Sequence, residues 1–68
     1  MKIKLYGLRS FIIEDGIVEI FATLEKTKDG HKLLFIDRID IHGSIELSEL
    51  RTILRRIHRQ FKEKYHIF

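Results

Sequence analysis

The sequence contains no cysteine, and this absence excludes disulfides, thiolate-bound metals and cysteine nucleophiles. Its 68 residues predict one small domain, residues 1–68. A chain of this size buries only about 60% of the surface that its unfolded form exposes, so its core is thin. Since no disulfide can form, a metal or a partner subunit is the remaining way to reinforce such a domain.

Long apolar stretches are also missing. No run approaches the ~18 apolar residues of a membrane-spanning helix. The first residues, MKIKLYGLRS, interleave charged and apolar side chains, unlike a signal peptide. These patterns predict a cytoplasmic protein without membrane contact. Asn and Pro are absent while charged residues make up 34% of the chain, a composition that resembles that of thermophilic proteins.

No group of residues has the spacing of a catalytic or metal site. The histidines lack the ligand spacing of a zinc site. Asp29-Gly30 and Gly43-Ser44 are turn signals and do not form a phosphate-binding loop motif. A domain made of one sheet and one helix also has little room for a substrate pocket. The sequence therefore predicts neither enzymatic activity nor a bound cofactor or metal.

Residues that favour β-strands dominate the first 42 positions, and glycines divide them into runs. In FIIEDGIVEIF, Asp15-Gly16 separates two such runs, which predicts a two-residue hairpin loop of type I′. Residues 27–30 predict a second reversal of the chain. Gly7 interrupts the first run and is interpreted as a bulge or a bend within one strand. Three antiparallel strands are the result.

The two loops predict a register in which opposite charges face each other. Glu19 lies opposite Arg38 and Glu25 lies opposite Lys32, as expected of neighbouring strands. In this register one face of the sheet is almost wholly apolar and forms the core. Its apolar residues are Ile3, Leu5, Phe11, Ile13, Val18, Ile20, Ala22, Leu24, Leu33, Phe35, Ile39 and Ile41.

The second face of the predicted sheet mixes charged and apolar residues. Because one helix can cover only one side of a sheet, the apolar residues of this face need another cover. A second copy of the chain is the expected cover, which predicts a homodimer, and Tyr6 is interpreted as packing in the same interface. The other predicted interface residues are Ile12, Ile17, Phe21, Leu34 and Ile36.

From about residue 46 to residue 65 the apolar period changes from that of a strand to that of a helix with one core-facing stripe. Ser44 or Ser48 is the predicted N-cap. The predicted fold class is α+β: a three-stranded antiparallel β-meander over residues 2–42, followed by one long C-terminal α-helix packed on one sheet face. The apolar tail after the helix is expected to dock on the core or to reach a partner subunit.

The positive charge of the chain belongs to its helical segment. Residues 1–43 contain seven Lys or Arg and seven Asp or Glu, whereas residues 44–68 contain six Lys or Arg and three Glu, so the net charge of +3 lies in the second segment. On a helical wheel four of these cations fall within about 80° of one another. They form what we call the basic stripe, which consists of Arg51, Arg55, Arg59 and Lys62.

A basic stripe on a helix is typical of phosphate binding, so the sequence predicts a small nucleic-acid-binding protein, for DNA or RNA, with an accessory or regulatory role. Arg56 and His58 flank the stripe and are predicted to share its contacts. Two alternatives stay open. The stripe can be a solvated face whose side-chain stems cover apolar surface. It can also bind an acidic protein, in which case the chain is an interaction module or inhibitor that uses the stripe or its apolar sheet face.

Three antiparallel strands followed by one helix resemble the layout of the integrase arm-binding domains, which are understood to read DNA with the sheet. In this chain the second sheet face mixes acids with apolar residues and is not rich in Arg and Trp. A shared fold does not imply a shared function. The flank of the helix is therefore the better candidate for a nucleic-acid contact than the sheet.

Overall fold

The computed structural model describes residues 1–5 and 7–68, so Tyr6 and its predicted interface role lie outside the described residues. One helix packs on a five-stranded sheet of order β1-β2-β3-β4-β5, in which the first four strands are antiparallel and β5 runs parallel to β4. The elements are β1 Lys2–Leu5, β2 Ser10–Asp15, β3 Val18–Lys26, β4 Lys32–Ile41, α1 Leu47–Phe61 and β5 His66–Ile67. The chain is a small α+β fold, but the prediction of a three-stranded antiparallel meander is wrong.

The two additional strands arise at the ends of the chain. Gly7 lies in the connection between β1 and β2, where the chain reverses so that Leu5 pairs with Phe11. The predicted single strand with a bulge is therefore two strands. At the other end, α1 ends at Phe61, and the tail docks as β5 on the outer edge of β4. Phe68 extends this docking, because its backbone N–H donates to the Leu34 carbonyl at 2.9 Å.

The first hairpin uses a different loop from the predicted one. Asp15 pairs with Val18, so the two loop residues are Gly16 and Ile17. Gly16 has a φ of +60°, and no non-glycine residue in the described chain has a positive φ. A positive φ at the first loop position alone is typical of a type II′ turn, which replaces the predicted type I′. The register moves by two residues, which leaves every side chain of β2 and β3 on its predicted face.

The second hairpin places the residues of β4 on different faces from those predicted. Leu24 pairs with Leu34, and β4 then contains a bulge, so that Ile20 pairs with Ile39. Asp37 is the additional residue of this bulge, and its carboxylate accepts a hydrogen bond from the Thr23 hydroxyl at 2.6 Å. Before the bulge the register differs from the predicted one by an odd number of residues, which exchanges the two faces of the strand.

This exchange corrects two of the predicted interface residues. Leu34 is fully buried, and Ile36 packs against the same core. Both therefore face α1, and not the open side of the sheet. Leu33 and Phe35, which were assigned to the core, lie on the open face. The buried core consists of Phe11, Ile13, Val18, Ile20, Ala22, Leu34 and Ile57.

Helix α1 covers one face of the sheet through its apolar stripe. Ile57 is its fully buried residue, and Phe61 contacts Phe11 with 6.1 Å between ring centroids. The N-cap is Glu46, and it makes no side-chain capping hydrogen bond, so the predicted caps Ser44 and Ser48 are wrong. Packing on the sheet, and not capping, holds the start of this helix.

The open face of the sheet carries apolar side chains and ion pairs together. Phe35 stacks on Phe68 with 5.3 Å between ring centroids, and the Arg38 guanidinium lies 4.1 Å from the centre of the Phe21 ring. Ile12 and Phe21, two of the predicted interface residues, are half-buried here, while Ile17 lies exposed in the first hairpin loop. The homodimer through this face stays a prediction, with Leu34 and Ile36 removed from its surface.

Candidate nucleic-acid interface

Three residues of the basic stripe lie on one exposed flank of α1, and the fourth, Lys62, directly follows the helix. Arg51, Arg55 and Arg59 are spaced four residues apart, so each lies about 6 Å further along the helix axis than the one before. Lys62 is the C-cap, and its backbone N–H donates to the His58 carbonyl at 2.9 Å. All four side chains are exposed, and none forms an ion pair within residues 1–5 and 7–68.

Arg56 borders the basic stripe on the side that faces the first hairpin, and it lines one surface depression together with Arg55 and Arg59. Its guanidinium donates to the Asp15 carboxylate at 2.7 Å, and the Asp15 side chain is only 14% exposed. Glu49 lies near this pair, beside Thr52. The acids close to the helix are therefore concentrated on the Arg56 flank, which faces the first hairpin. Arg56 therefore attaches α1 to that hairpin from the edge of the basic stripe.

The ion pair of Arg56 predicts different effects for two neighbouring arginines. Arg56→Gln removes the partner of a mostly buried carboxylate and should lower the free energy of unfolding by about 0.5–1 kcal/mol. Arg55→Gln is the matched control, because Gln and Arg have similar helix propensities and Arg55 has no acidic partner. Its expected change is near zero. Urea denaturation of both variants measures the difference, and equal stabilities would contradict the assignment of Arg56 to the hairpin.

Several acids of the sheet have basic partners of their own. The Lys4 ammonium lies 2.9 Å from the Glu14 carboxylate, and this hydrogen bond lowers the pKa of Glu14 and raises the pKa of Lys4. Glu19 pairs with His42. Glu14 and Glu19 face each other across β2 and β3, where like charges are unfavourable, and each is bonded to a basic side chain of another strand or of the residue after β4. These acids are therefore not available to the basic stripe.

A groove runs between α1 and the outer part of the sheet, directly beside the basic stripe. Its volume is about 520 Å³. Basic side chains form its rim, namely Arg55, Arg59, Lys62 and the imidazole of His58. Aliphatic side chains line the rest of it, namely Ile36, Ile39, Leu54, Ile57 and Ile67. The groove can therefore accept an apolar group while the rim contacts an anion.

The sequence located only part of this site. Helical spacing alone defines the basic stripe, and His58 lies at the groove rim next to it. The groove was missed, because Ile36 was assigned to the other sheet face and Ile67 to a tail of undecided position. The alternation of β4 around a bulge carries no clear sequence signal, since Asp37 is not a glycine or a proline.

Metal and membrane sites have no support in the part of the chain that the structure describes. Within it, no group of three or more His, Cys, Asp or Glu side chains is placed to hold a metal ion. No helix among the same residues is long and apolar enough to cross a bilayer. The chain matches no protein-family model, and comparisons with curated proteins and with solved structures also find no match.

Proposed function

We propose that this protein binds the phosphate backbone of nucleic acid through the basic stripe. The observation that supports the proposal is an exposed column of cations that have no acidic partners in the described chain. Arg56, by contrast, is a helix arginine that does have such a partner. Like charges four residues apart destabilise a helix by about 0.2–0.5 kcal/mol per pair. A polyanion that lies along the stripe removes this repulsion, which is a gain specific to the bound state.

The chemistry of the stripe fits the phosphate backbone. Three of its four members are arginines, whose planar guanidinium groups can donate two parallel hydrogen bonds to one phosphate. Such contacts fix affinity and position but do not distinguish sequences. The protein would therefore act as a small accessory or regulatory factor that binds DNA or RNA generally. Arg56 stands at the edge of this surface, where Asp15 holds one end of its guanidinium.

Binding to a labelled DNA duplex and to a labelled RNA hairpin, measured by fluorescence anisotropy over a series of salt concentrations, tests the proposal. Four phosphate contacts predict a slope near −3.6 in a plot of log affinity against log salt concentration. The two ligands together show whether one nucleic acid is preferred. A slope near zero, or no binding to either ligand at low salt, would contradict the proposal.

The groove favours a second candidate function. An acidic protein segment with apolar side chains would place those side chains on the aliphatic floor and its carboxylates on the cationic rim. The chain would then be an interaction module or inhibitor without catalytic activity. Under this alternative, affinity for generic nucleic acid is absent, while a short acidic peptide with leucine or isoleucine at alternate positions binds and loses affinity when Leu54 is replaced by Asp.

A further inference from the structure

The outer edge of β4 is only partly covered. Strand β5 pairs with Leu33 and Leu34, and the carbonyl of Phe68 accepts the N–H of Ile36 at 3.0 Å. Beyond this point no described strand lies beside β4 on that side. The open segment covers residues 37–41, half of the strand. Open edges of this kind can pair with another chain.

The direction of the backbone groups in this segment follows from one hydrogen bond. The N–H of His42 donates to the Ile17 carbonyl at 2.8 Å and so points towards β3. Main-chain groups of successive strand residues alternate in direction across a ladder. The N–H and C=O groups of Ile39 and Ile41 therefore point away from β3, towards the open edge. Their side chains are 39% and 40% exposed, on the α1 side of the sheet.

We propose that a second copy of this chain pairs with the open edge, β4 against β4 and antiparallel, about a two-fold axis at Ile39. This axis makes Ile39 the hydrogen-bonded partner of its own copy. On the open face of the sheet, Arg38 then lies opposite the partner's Asp40, and Asp40 lies opposite the partner's Arg38. The segment Arg38-Ile39-Asp40 is self-complementary in charge in this register.

Other pairings at this edge lack such complementarity. An axis at Ile41, the other outward-pointing residue, would leave Arg38 without an opposite charge on the partner. Pairing of β4 with the partner's β1 would bring a strand of sequence KIKL beside the cationic rim of the groove. That arrangement is also head-to-tail, so it would propagate into a fibre, whereas the two-fold arrangement closes.

The charges at the axis already form pairs within each chain. The Arg38 Nε lies 3.2 Å from the Asp40 carboxylate, and both side chains are partly exposed. Across the axis the two copies would join these pairs into a network of two arginines and two aspartates. Networks and cross-strand pairs of opposite charge are favourable, while like charges directly opposite each other are unfavourable. The charges therefore specify the register more than they add affinity.

The dimer has a defined architecture. Its two sheets form one continuous sheet of ten strands, five from each copy. Because the two-fold axis is perpendicular to that sheet, both helices lie on the same side, and the two grooves border each other across the axis. The interface differs from the open sheet face predicted from the sequence, and it does not depend on nucleic-acid binding.

Exchange of the two charges tests the proposal directly. The single variants R38D and D40R each place two pairs of like charges across the axis, and we expect the dimer dissociation constant to rise by at least about tenfold. The double variant R38D/D40R restores opposite charges and should dimerise like the wild type. An equimolar mixture of the two single variants should also dimerise, because each then faces its complement. Sedimentation velocity over a range of concentrations distinguishes the 8.2 kDa chain from its dimer.

The mixture separates a contact between copies from an effect within one chain. Loss of the Arg38–Asp40 pair inside each chain is the same in the mixture as in the separate variants, so only pairing between copies can restore dimerisation. Circular dichroism checks that each variant is folded. If a single variant does not fold, the wild type still gives an answer, because the amide of Ile39 should exchange more slowly at high than at low protein concentration.

Three results would overturn the proposal. The first is a wild-type protein that sediments as a monomer at millimolar concentration. The second is dimerisation of both single variants with wild-type affinity, which would place the contact on another surface such as the open sheet face. The third is a mixture of the single variants that stays monomeric while each component is folded.

Discussion

Replacing Arg55 and Arg59 together by glutamate should abolish binding to nucleic acid. The double variant converts a stripe of four positive charges into two positive and two negative charges. Two phosphate contacts disappear and two repulsive groups take their place, so we expect affinity at low salt to fall by at least about 100-fold. The slope of log affinity against log salt concentration should fall to about half of its wild-type value or less. Fluorescence anisotropy with the same duplex and hairpin measures both quantities.

A second double variant controls for the change in net charge. Lys2→Glu with Lys28→Glu alters the net charge equally, and both residues are exposed and distant in sequence from α1. If binding depends on overall charge alone, the two double variants weaken it equally, and the basic stripe is not a specific surface. A stripe that contacts phosphate instead predicts a much smaller loss for the control.

The fold should survive the double replacement in the stripe. Neither Arg55 nor Arg59 has an acidic partner to lose in the described structure, and the new carboxylates would lie three or four residues from Arg51 and Lys62. Urea denaturation should therefore give a free energy of unfolding within about 0.5 kcal/mol of the wild type. If the variant unfolds, the stripe has a structural role, and loss of binding carries no information about phosphate contact.

Leu34→Ala should lower the free energy of unfolding more than any other replacement of a β4 residue by alanine. Leu34 is fully buried between the sheet and α1, so the replacement leaves a cavity in the core. Such replacements cost about 2–5 kcal/mol. The total stability of a domain of this size is expected to be of the same order, at about 0.05–0.15 kcal/mol per residue. Chemical denaturation should therefore show a variant that is barely folded or unfolded in water.

Leu33→Ala is the matched control, because it makes the same chemical change one residue earlier. Leu33 lies on the open face and pairs with Glu25, so its loss should cost about 1 kcal/mol or less. The register predicted from the sequence gives the opposite order, with Leu33 in the core. Leu34→Met, which nearly conserves volume, should stay folded and gives a measurable intermediate value if Leu34→Ala does not fold. Equal effects at the two leucines would contradict the register of β3 and β4.

The first hairpin and β4 show why the sequence predicted one part of the sheet and not the other. The true loop after Asp15 is displaced from the predicted one, which shifts the pairing of β2 with β3 by two residues. A shift by two residues leaves every side chain on its predicted face of the sheet. The predicted core positions Phe11, Ile13 and Val18 are therefore confirmed. In β4 the change is one residue, which exchanges the faces until the bulge at Asp37 restores them. In β4 a shift of one residue, which no glycine or proline signals, decides which side chains face the core.

In the candidate site, too, the features that depend on local sequence were predictable and those that depend on tertiary structure were not. The basic stripe depends only on helical periodicity, which Arg51, Arg55 and Arg59 display within one element. The partner of Arg56 depends on where α1 lies relative to the first hairpin, and helical spacing contains no information on that. The groove depends in addition on β5, a strand of two residues that is too short to leave a periodic pattern.

The docking of β5 has a consequence for the order in which the molecule forms and opens. Strands β1 to β4 pair with their neighbours in sequence, so their contacts close short loops. The parallel pairing of β5 with β4 must instead wait until α1 has crossed the sheet, and it rests on two residue pairs and the two backbone hydrogen bonds of Phe68. We therefore expect β5 to be the last strand to join the sheet and the first to leave it. Since Ile67 lines the groove, the groove can open at that side while the core beneath remains folded.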